Sequence, residues 1–273
     1  MPLLNPRSYL FVPGNRPDRF AKACAAGADA VVIDLEDSVA AKDKSEARAA
    51  VAAWLTPAQP VLVRVNTSDS EWFRDDLSLG RRPGIAGVLL PKAERVEDIR
   101  LVAENFGSTV PILPQIETAL GFRNTLVIAG AEHVQRLLFG SIDFQLDLNM
   151  AAEEEELLYF RSRIVLDSRL AGIQSPVDGV TTDLNSSERV RADTLRARRL
   201  GFGGKMCIHP KQVPVVNECF APTAEEESWA KRVVEASTAA RGAATSVDGK
   251  MVDRPVLARA EAILAIMAQL RQP

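Results

Sequence analysis

The sequence predicts an α/β fold, a (β/α)8 barrel followed by a helical C-terminal extension, and two observations carry that prediction. Eight short apolar runs bounded by turn residues recur along residues 8–210, separated by segments of helical period. The runs are near-continuously apolar rather than alternating, as strands covered on both faces are, and strict strand–helix alternation implies a parallel sheet.

The elements follow in order. The first run, "SYLFVPG" (8–14), leads into the helical segment "PDRFAKACAAG", and the second, "DAVVIDLE" (29–36), into "SEARAAVAAWL". Third and fourth come "VLVRVN" (61–66) and "IAGVLLPK" (85–92), the latter followed by the helical "ERVEDIRLVAENFG". The fifth and sixth are "PILPQIE" (111–117) and "RLLFGSID" (136–143). Next, "EEEELLYFRSRIVLDSRLAG" reads as a helix with Leu157, Phe160 and Ile164 on one face, and the acidic run Glu153 to Glu156 in its first turn suits the helix macrodipole better than a metal. The seventh and eighth runs are "AGIQSPVD" (171–178) and "GKMCIHP" (204–210). Beyond them, "KQVPVVNECF", "TAEEESWAKRVVEASTAARG" and "RPVLARAEAILAIMAQLR" read as extra helices, with "AATSVDGKMVD" (243–253) as a loop. The expected division is a TIM barrel over 1–220 and a helical extension over 221–273.

Composition narrows the function. A chain of 273 residues that is 47% hydrophobic can bury a large core. Its 33 basic and 36 acidic residues are interspersed, so no basic field exists for nucleic acid or anionic lipid, and neither a nucleic-acid nor a membrane partner is expected. No apolar stretch approaches the ~18 residues of a membrane span and no targeting segment is recognisable, so a cytoplasmic protein is expected. Cys24, Cys207 and Cys219 form no CxxC pair and leave an odd count, which disfavours a disulfide framework or zinc cluster and favours buried thiols.

In a (β/α)8 barrel, catalytic groups come from the C-terminal ends of several strands, which converge on one mouth. The polar residues that close the runs are Asp34, Glu36 and Asp37, then Arg64 and Asn66, Lys92, Glu117, Asp143, Asp178 and His209. This is a mouth rich in oxygen donors, suited to hard cations such as Mg2+ rather than Zn2+. Glu117 and Asp143 end adjacent strands; both ionised, they repel, and a divalent ion relieves that repulsion. Singly, each could equally be a loop cap or a salt-bridge partner. Arg64, flanked by valines in "VRVN", points into the barrel and needs an anionic partner. That partner is either a barrel acid such as Glu36 or a substrate carboxylate or enolate oxygen.

"YLFVPGNRPDRFAKACAAGADAVVIDLEDSV", "VRVN", "LPKAE", "PQIETALG", "LFGSIDF", "CIHPKQV" and "VDGKMVDRPVL", taken together and in this order, resemble the citrate lyase β-subunit-like (CitE-like) proteins of the HpcH/HpaI aldolase and malyl-CoA lyase superfamily. The resemblance runs over almost the whole chain. It implies a TIM barrel that binds Mg2+ (or Mn2+) and cleaves or forms a 3-hydroxyacyl-CoA thioester, such as citryl-, malyl- or citramalyl-CoA, giving a keto acid and acetyl-CoA; the carrier could instead be an acyl-carrier protein. It implies Glu117 and Asp143 as metal ligands, Arg64 (with Glu117) as the contact to the substrate acid, and Asp253 as an acid or base entering a neighbouring subunit's site. A homo-oligomer, most simply a trimer, follows from that last role; the residues alone read Asp253 as a helix N-cap before Pro255. Asp34, Glu36, Asp37 and Lys92 then surround these groups, accepting hydrogen bonds from metal-bound water or orienting Arg64. Arg16 and Arg19 offer charges for CoA phosphates. One departure concerns substrate identity: many CitE-like sequences read G-A-E-D where this one has Gly140-Ser141-Ile142-Asp143. Two alternatives stand beside this reading. One is a divalent-metal pyruvate aldolase on free hydroxy-keto acids, whose relatives use a histidine base after strand 2, whereas this chain has only His133 and His209. The other is a non-catalytic subunit of a lyase complex.

Overall fold

The computed structural model describes residues 5–151, 155–240 and 243–271. Eight parallel strands close into a barrel in sequential order, β1 pairing with both β2 and β8. They are β1 (Ser8–Pro13), β2 (Ala30–Asp34), β3 (Val61–Arg64), β4 (Ile85–Leu90), β5 (Ile112–Ile116), β6 (Leu138–Phe139), β7 (Val177–Asp178) and β8 (Gly204–Cys207). Each lies inside one of the eight apolar runs. The connecting helices are α1 (Phe20–Cys24), α2 (Lys44–Trp54), α3 (Phe73–Asp76), α4 (Val96–Phe106), α5 (Ala119–Arg123), α6 (Thr125–Ala129), α7 (Ser141–Asp147), α8 (Leu158–Leu170) and α9 (Ser187–Leu200). β6 and β7 are shorter than their runs: Ser141-Ile142-Asp143 already begins α7, and Pro176, without an N–H, stands at the start of β7. Glu153 and Glu154 of the acidic run lie outside the described residues; Glu155–Leu157 form a 3-10 turn into α8.

One buried residue from every strand meets in the barrel interior: Tyr9, Val32, Leu62, Leu89, Leu113, Leu138, Val177 and Met206. This is the apolar plug expected of a filled barrel rather than a pore. Arg136, almost fully buried, closes the end near the strand starts by donating to Pro6 O, Ser175 O and Tyr9 Oη. Because side chains alternate along a strand, the positions two residues beyond the plug also face inward, toward the mouth. They include Phe11, Asp34, Arg64, Gln115, Gly140 and Ile208.

The chain separates into two compact units, one ending at Asn217 and the other beginning at Glu218, within α10 (Gln212–Phe220). The second unit holds α11 (Ala224–Ala239), β9 (Thr245–Val247), β10 (Lys250–Val252) and α12 (Arg254–Leu270). Ala230, Val233, Val252, Ala260 and Ile263 form its core. The segment expected to be a loop is an antiparallel hairpin. Asp248 and Gly249 at its tip both take positive φ, 50° and 75°, the conformation for which Asp-Gly is a standard hairpin signal. Among the described residues no helix is long and apolar enough to cross a membrane. The cysteines are free, Cys207 and Cys219 buried and Cys24 half-buried.

Candidate active site

At the mouth the site begins with an ion pair that the register dictates. Asp34 and Arg64 are cross-strand partners at the ends of β2 and β3, and both belong to the inward set. The guanidinium grips the carboxylate with two bonds, Nε to Oδ1 and Nη2 to Oδ2, each 2.7 Å. Its third nitrogen, Nη1, lies 2.8 Å from Glu36 Oε2 and 3.5 Å from Asp37 Oδ2. Below, Arg64 stacks over the Phe11 ring at 5.2 Å. Asp34 also accepts from the Ser38 hydroxyl and the Glu36 N–H. Burial would push the Asp34 carboxyl up, but the Arg64 charge and fork hold it below the usual carboxylate range. The same acids raise Arg64 above its ordinary value against the opposing effect of burial.

The second half of the site comes from β4, β5 and α7. Lys92, just past β4, takes a positive φ of 44°, uncommon for a residue other than glycine. In that conformation its N–H donates to Glu117 Oε2 at 3.1 Å, while its ammonium reaches Glu36 Oε1 at 3.3 Å and Asp143 Oδ1 at 3.2 Å. Gln115 Nε2 donates to the other Glu117 oxygen. Glu117 is fully buried, and its side chain lies against Gly140, where a Cβ would overlap the carboxyl. Asp143 stands in the first turn of α7, where a negative charge suits the helix dipole.

These groups surround a cavity of about 350 Å³ at the mouth, with Asp34, Asp37, Arg64, Gln115 and Asp143 in its wall. The Glu117 carboxyl touches two residues of that wall, accepting from Gln115 and lying against Gly140. Five carboxylates (Asp34, Glu36, Asp37, Glu117, Asp143) face Arg64, Lys92 and the Lys44 ammonium, which binds Leu35 O and Glu36 O. With all five ionised, two negative charges are left over, the charge of one divalent cation. The surplus shows in the titration. Burial, with Asp37 adding to it, pushes Glu36 up to about 7 against the pull of Arg64 and Lys92. Burial together with Glu36 and Asp143 pushes Glu117 well above its ordinary value. A donor set of hard oxygens with excess negative charge fits a hard cation. Among the described residues, no group of three or more His, Cys, Asp or Glu side chains is placed to hold a metal ion.

Of the sequence candidates, Arg64, Asp34, Glu36, Asp37, Lys92, Glu117 and Asp143 converge on this mouth. Three strand-end residues do not join them. Asp178 follows the inward Val177, so it points away from the axis and binds Arg161 Nε at 3.0 Å. Asn66 turns to Asp76, and His209 Nδ1 accepts the Lys211 N–H of its own turn. Asp253 lies in the second compact unit, where its carboxylate caps α12 by accepting the Val256 N–H at 3.2 Å. Arg16 pairs with Asp18 at 2.9 Å, and Arg19 is exposed. Sequence reading passed over Phe11 and Gln115 and noted Gly140 and Ile142 only within a motif that departs from CitE-like sequences; all four lie in the cavity wall. Strand parity was the signal for the first three.

A family model described as HpcH/HpaI aldolase/citrate lyase matches residues 7–210. A citrate lyase subunit beta-like protein of Deinococcus radiodurans is 40% identical over 275 residues, covering 95% of this chain and 96% of its own. A (3S)-malyl-CoA thioesterase of Cereibacter sphaeroides is 34% identical, covering 96% and 97%. Among solved structures, protein CitE of Mycobacterium tuberculosis in complex with magnesium, acetoacetate and coenzyme A matches with a TM-score of 0.86 at 33% identity, over 97% of this chain and 99% of that one.

Proposed function

The chain belongs to the HpcH/HpaI aldolase/citrate lyase family, and from that premise we propose that it is a Mg2+-dependent carbon–carbon lyase acting on a 3-hydroxyacyl-CoA thioester. The observation that supports this most is the pairing of Glu117 and Asp143 beside a buried Arg64 in a mouth whose carboxyl groups outnumber its cations by two, so that burial and mutual repulsion hold Glu36 and Glu117 toward their protonated forms until a cation is bound. Glu117 and Asp143 would hold the ion, whose Lewis acidity would ease ionisation of the substrate hydroxyl and polarise the carbonyl that forms there.

In the cleavage direction the bond between the thioester α-carbon and the carbinol carbon breaks. The hydroxyl proton leaves to water in the mouth, the carbinol carbon becomes the carbonyl of a 2-oxo acid, and the electron pair of the broken bond passes to the thioester as an enolate. Protonation of that enolate carbon gives acetyl-CoA. Arg64, fixed by Asp34 and Glu36, keeps N–H donors for the substrate carboxylate or the enolate oxygen. Asp253 of a neighbouring chain would exchange the proton with the acetyl carbon, making the active form a homo-oligomer, most simply a trimer. Glu117→Ala and Asp143→Ala, tested singly, should each abolish Mg2+-dependent cleavage while leaving circular dichroism unchanged. Full activity in both would overturn the assignment. The aldolase alternative requires a histidine base after β2, and no histidine lines the cavity among the described residues.

A further inference from the structure

Helix α2 reaches the site through the backbone that carries it. Lys44, the first residue of the helix, is buried, and its ammonium donates at 2.7 Å to both Leu35 O and Glu36 O. It also lies over the Trp72 ring, 5.2 Å from the centre. Among the described residues no carboxylate stands within ion-pair distance of it; Asp34, Glu36, Asp76 and Asp37 act on its charge only from further off. A buried ammonium without a paired carboxylate is costly. Packing alone would be served better by a methionine of similar length, so the two hydrogen bonds are what call for lysine.

Those bonds secure the turn after β2. Glu36 O accepts the Val39 N–H as well, and the Glu36 N–H donates to Asp34 Oδ1, so the residue is fixed at both ends of its backbone. Its carboxyl then lies 2.8 Å from Arg64 Nη1 and 3.3 Å from the Lys92 ammonium. The second contact bears on Asp143, which stands 3.2 Å from the same ammonium. While Glu36 shares Lys92, Asp143 keeps part of its charge for a cation. Arg48, one turn along α2, holds the end of β3 through a relay. Its Nε binds Asp76 Oδ1 at 2.7 Å, and Asp76 Oδ2 receives the Asn66 N–H and side-chain amide at 2.8 and 2.6 Å. The ends of β2 and β3 therefore have separate anchors on one helix.

We propose that Lys44 is a positioning residue of this active site: through the carbonyls of Leu35 and Glu36 it holds the Glu36 carboxyl between Arg64 and Lys92, and so keeps Asp143 available to the metal. The inference rests on the lyase reading and deepens it with a residue outside the cavity wall. Lys44→Met removes the donors and the charge at nearly constant length. The turn then relaxes, Glu36 leaves Lys92, and the ammonium passes to Asp143.

The test compares the full chain with Lys44→Met and with Lys44→Arg, which keeps donors for both carbonyls. In the metal-free proteins, amide hydrogen exchange at residues 36–39 should be about tenfold faster in Lys44→Met, as loss of a charged hydrogen bond implies, and near normal in Lys44→Arg. Residues 65–67, anchored by Arg48 and Asp76, and strand β5 should exchange as before. With Mg2+, and with whichever of malyl-, citramalyl- and citryl-CoA is turned over fastest, kcat should fall about tenfold or more in Lys44→Met, with KM changed less, and recover in Lys44→Arg. Failure of Lys44→Met to fold, faster exchange throughout the barrel, or an unchanged kcat beside a loosened turn makes Lys44 a residue of the fold alone and overturns the inference. A fall in kcat with normal exchange at 36–39 overturns it too. If the unmodified chain turns over no thioester, the lyase reading fails and calorimetric Mg2+ titration replaces the kinetics: weaker binding in Lys44→Met supports the positioning role, and equal binding overturns it.

Discussion

Replacing Gly140 by alanine is expected to cost metal-dependent turnover without costing the fold. The backbone at this position, φ −82° and ψ 75°, accommodates any L residue, so the effect is confined to what the new methyl meets. A Cβ there would stand 2.7 Å from Glu117 Cδ, and closer still to Cγ and Oε1. An unstrained carbon–carbon contact needs about 3.5 Å, so the Glu117 carboxyl must retreat by roughly 1 Å. It has little freedom to do so, since Gln115 and the Lys92 N–H hold its two oxygens. A displacement of about 1 Å in catalytic geometry costs on the order of 10²-fold in rate. Thioester cleavage measured against Mg2+ concentration, with calorimetric Mg2+ titration and a thermal melt, should therefore show weakened metal binding, a loss in kcat/KM of that order and a near-normal melting temperature. Unchanged Mg2+ affinity and turnover in the folded Gly140→Ala protein would refute the idea that Glu117, in the place Gly140 leaves for it, holds the ion.

Further outcomes follow from the same geometry. Arg64→Lys keeps the charge but loses the fork on Asp34, so kcat/KM should fall about 10²-fold or more in a folded protein; failure to fold would instead make Arg64 a barrel-closing residue. Because Glu36 is raised from 4.5 to about 7, the native state binds more protons than the unfolded chain between those values. The metal-free protein should then lose stability as pH rises through that window, by an amount on the order of 3 kcal/mol. Asp34, shifted the opposite way, matters only below about pH 4. Melting curves should accordingly fall between about pH 5 and 7.5, with Mg2+ restoring more at the upper end; a flat or rising profile would contradict the burial assigned to Glu36. Inactive Asp253→Ala chains mixed with inactive Glu117→Ala chains should regain activity at about a quarter of the sites after random subunit exchange. No recovery after verified exchange would place any role of Asp253 within its own chain.

The eight strands were legible because each is an apolar run cut off by turn residues, and the mouth because strand ends are where a barrel puts polar groups. What the list of strand-end acids could not do was sort them. Asp34 and Asp178 look alike in sequence, each closing a run of valine and isoleucine or proline, yet one grips Arg64 and the other binds Arg161. Parity separates them. Val32 and Val177 are the inward residues of their strands, so Asp34, two positions on, faces the axis, and Asp178, one position on, cannot. The same count from Leu113 reaches Gln115, and from Tyr9 reaches Phe11, both in the cavity wall. They were overlooked because an amide and a phenyl ring do not announce chemistry as carboxylates do. Parity places Gly140, two beyond Leu138, without saying why it must be a glycine, and the left-handed Lys92 lies beyond the rule. Their part depends on how closely β5 and the start of α7 approach, and on a backbone turn that aims an N–H at Glu117, distances that no single segment of sequence encodes. A strand-end acid in a barrel is therefore best judged from the core residue before it while the strand lasts; past the strand's end the count lapses, and Asp37 and Asp143, at odd offsets from Val32 and Leu138, reach the cavity through the turns that follow β2 and β6.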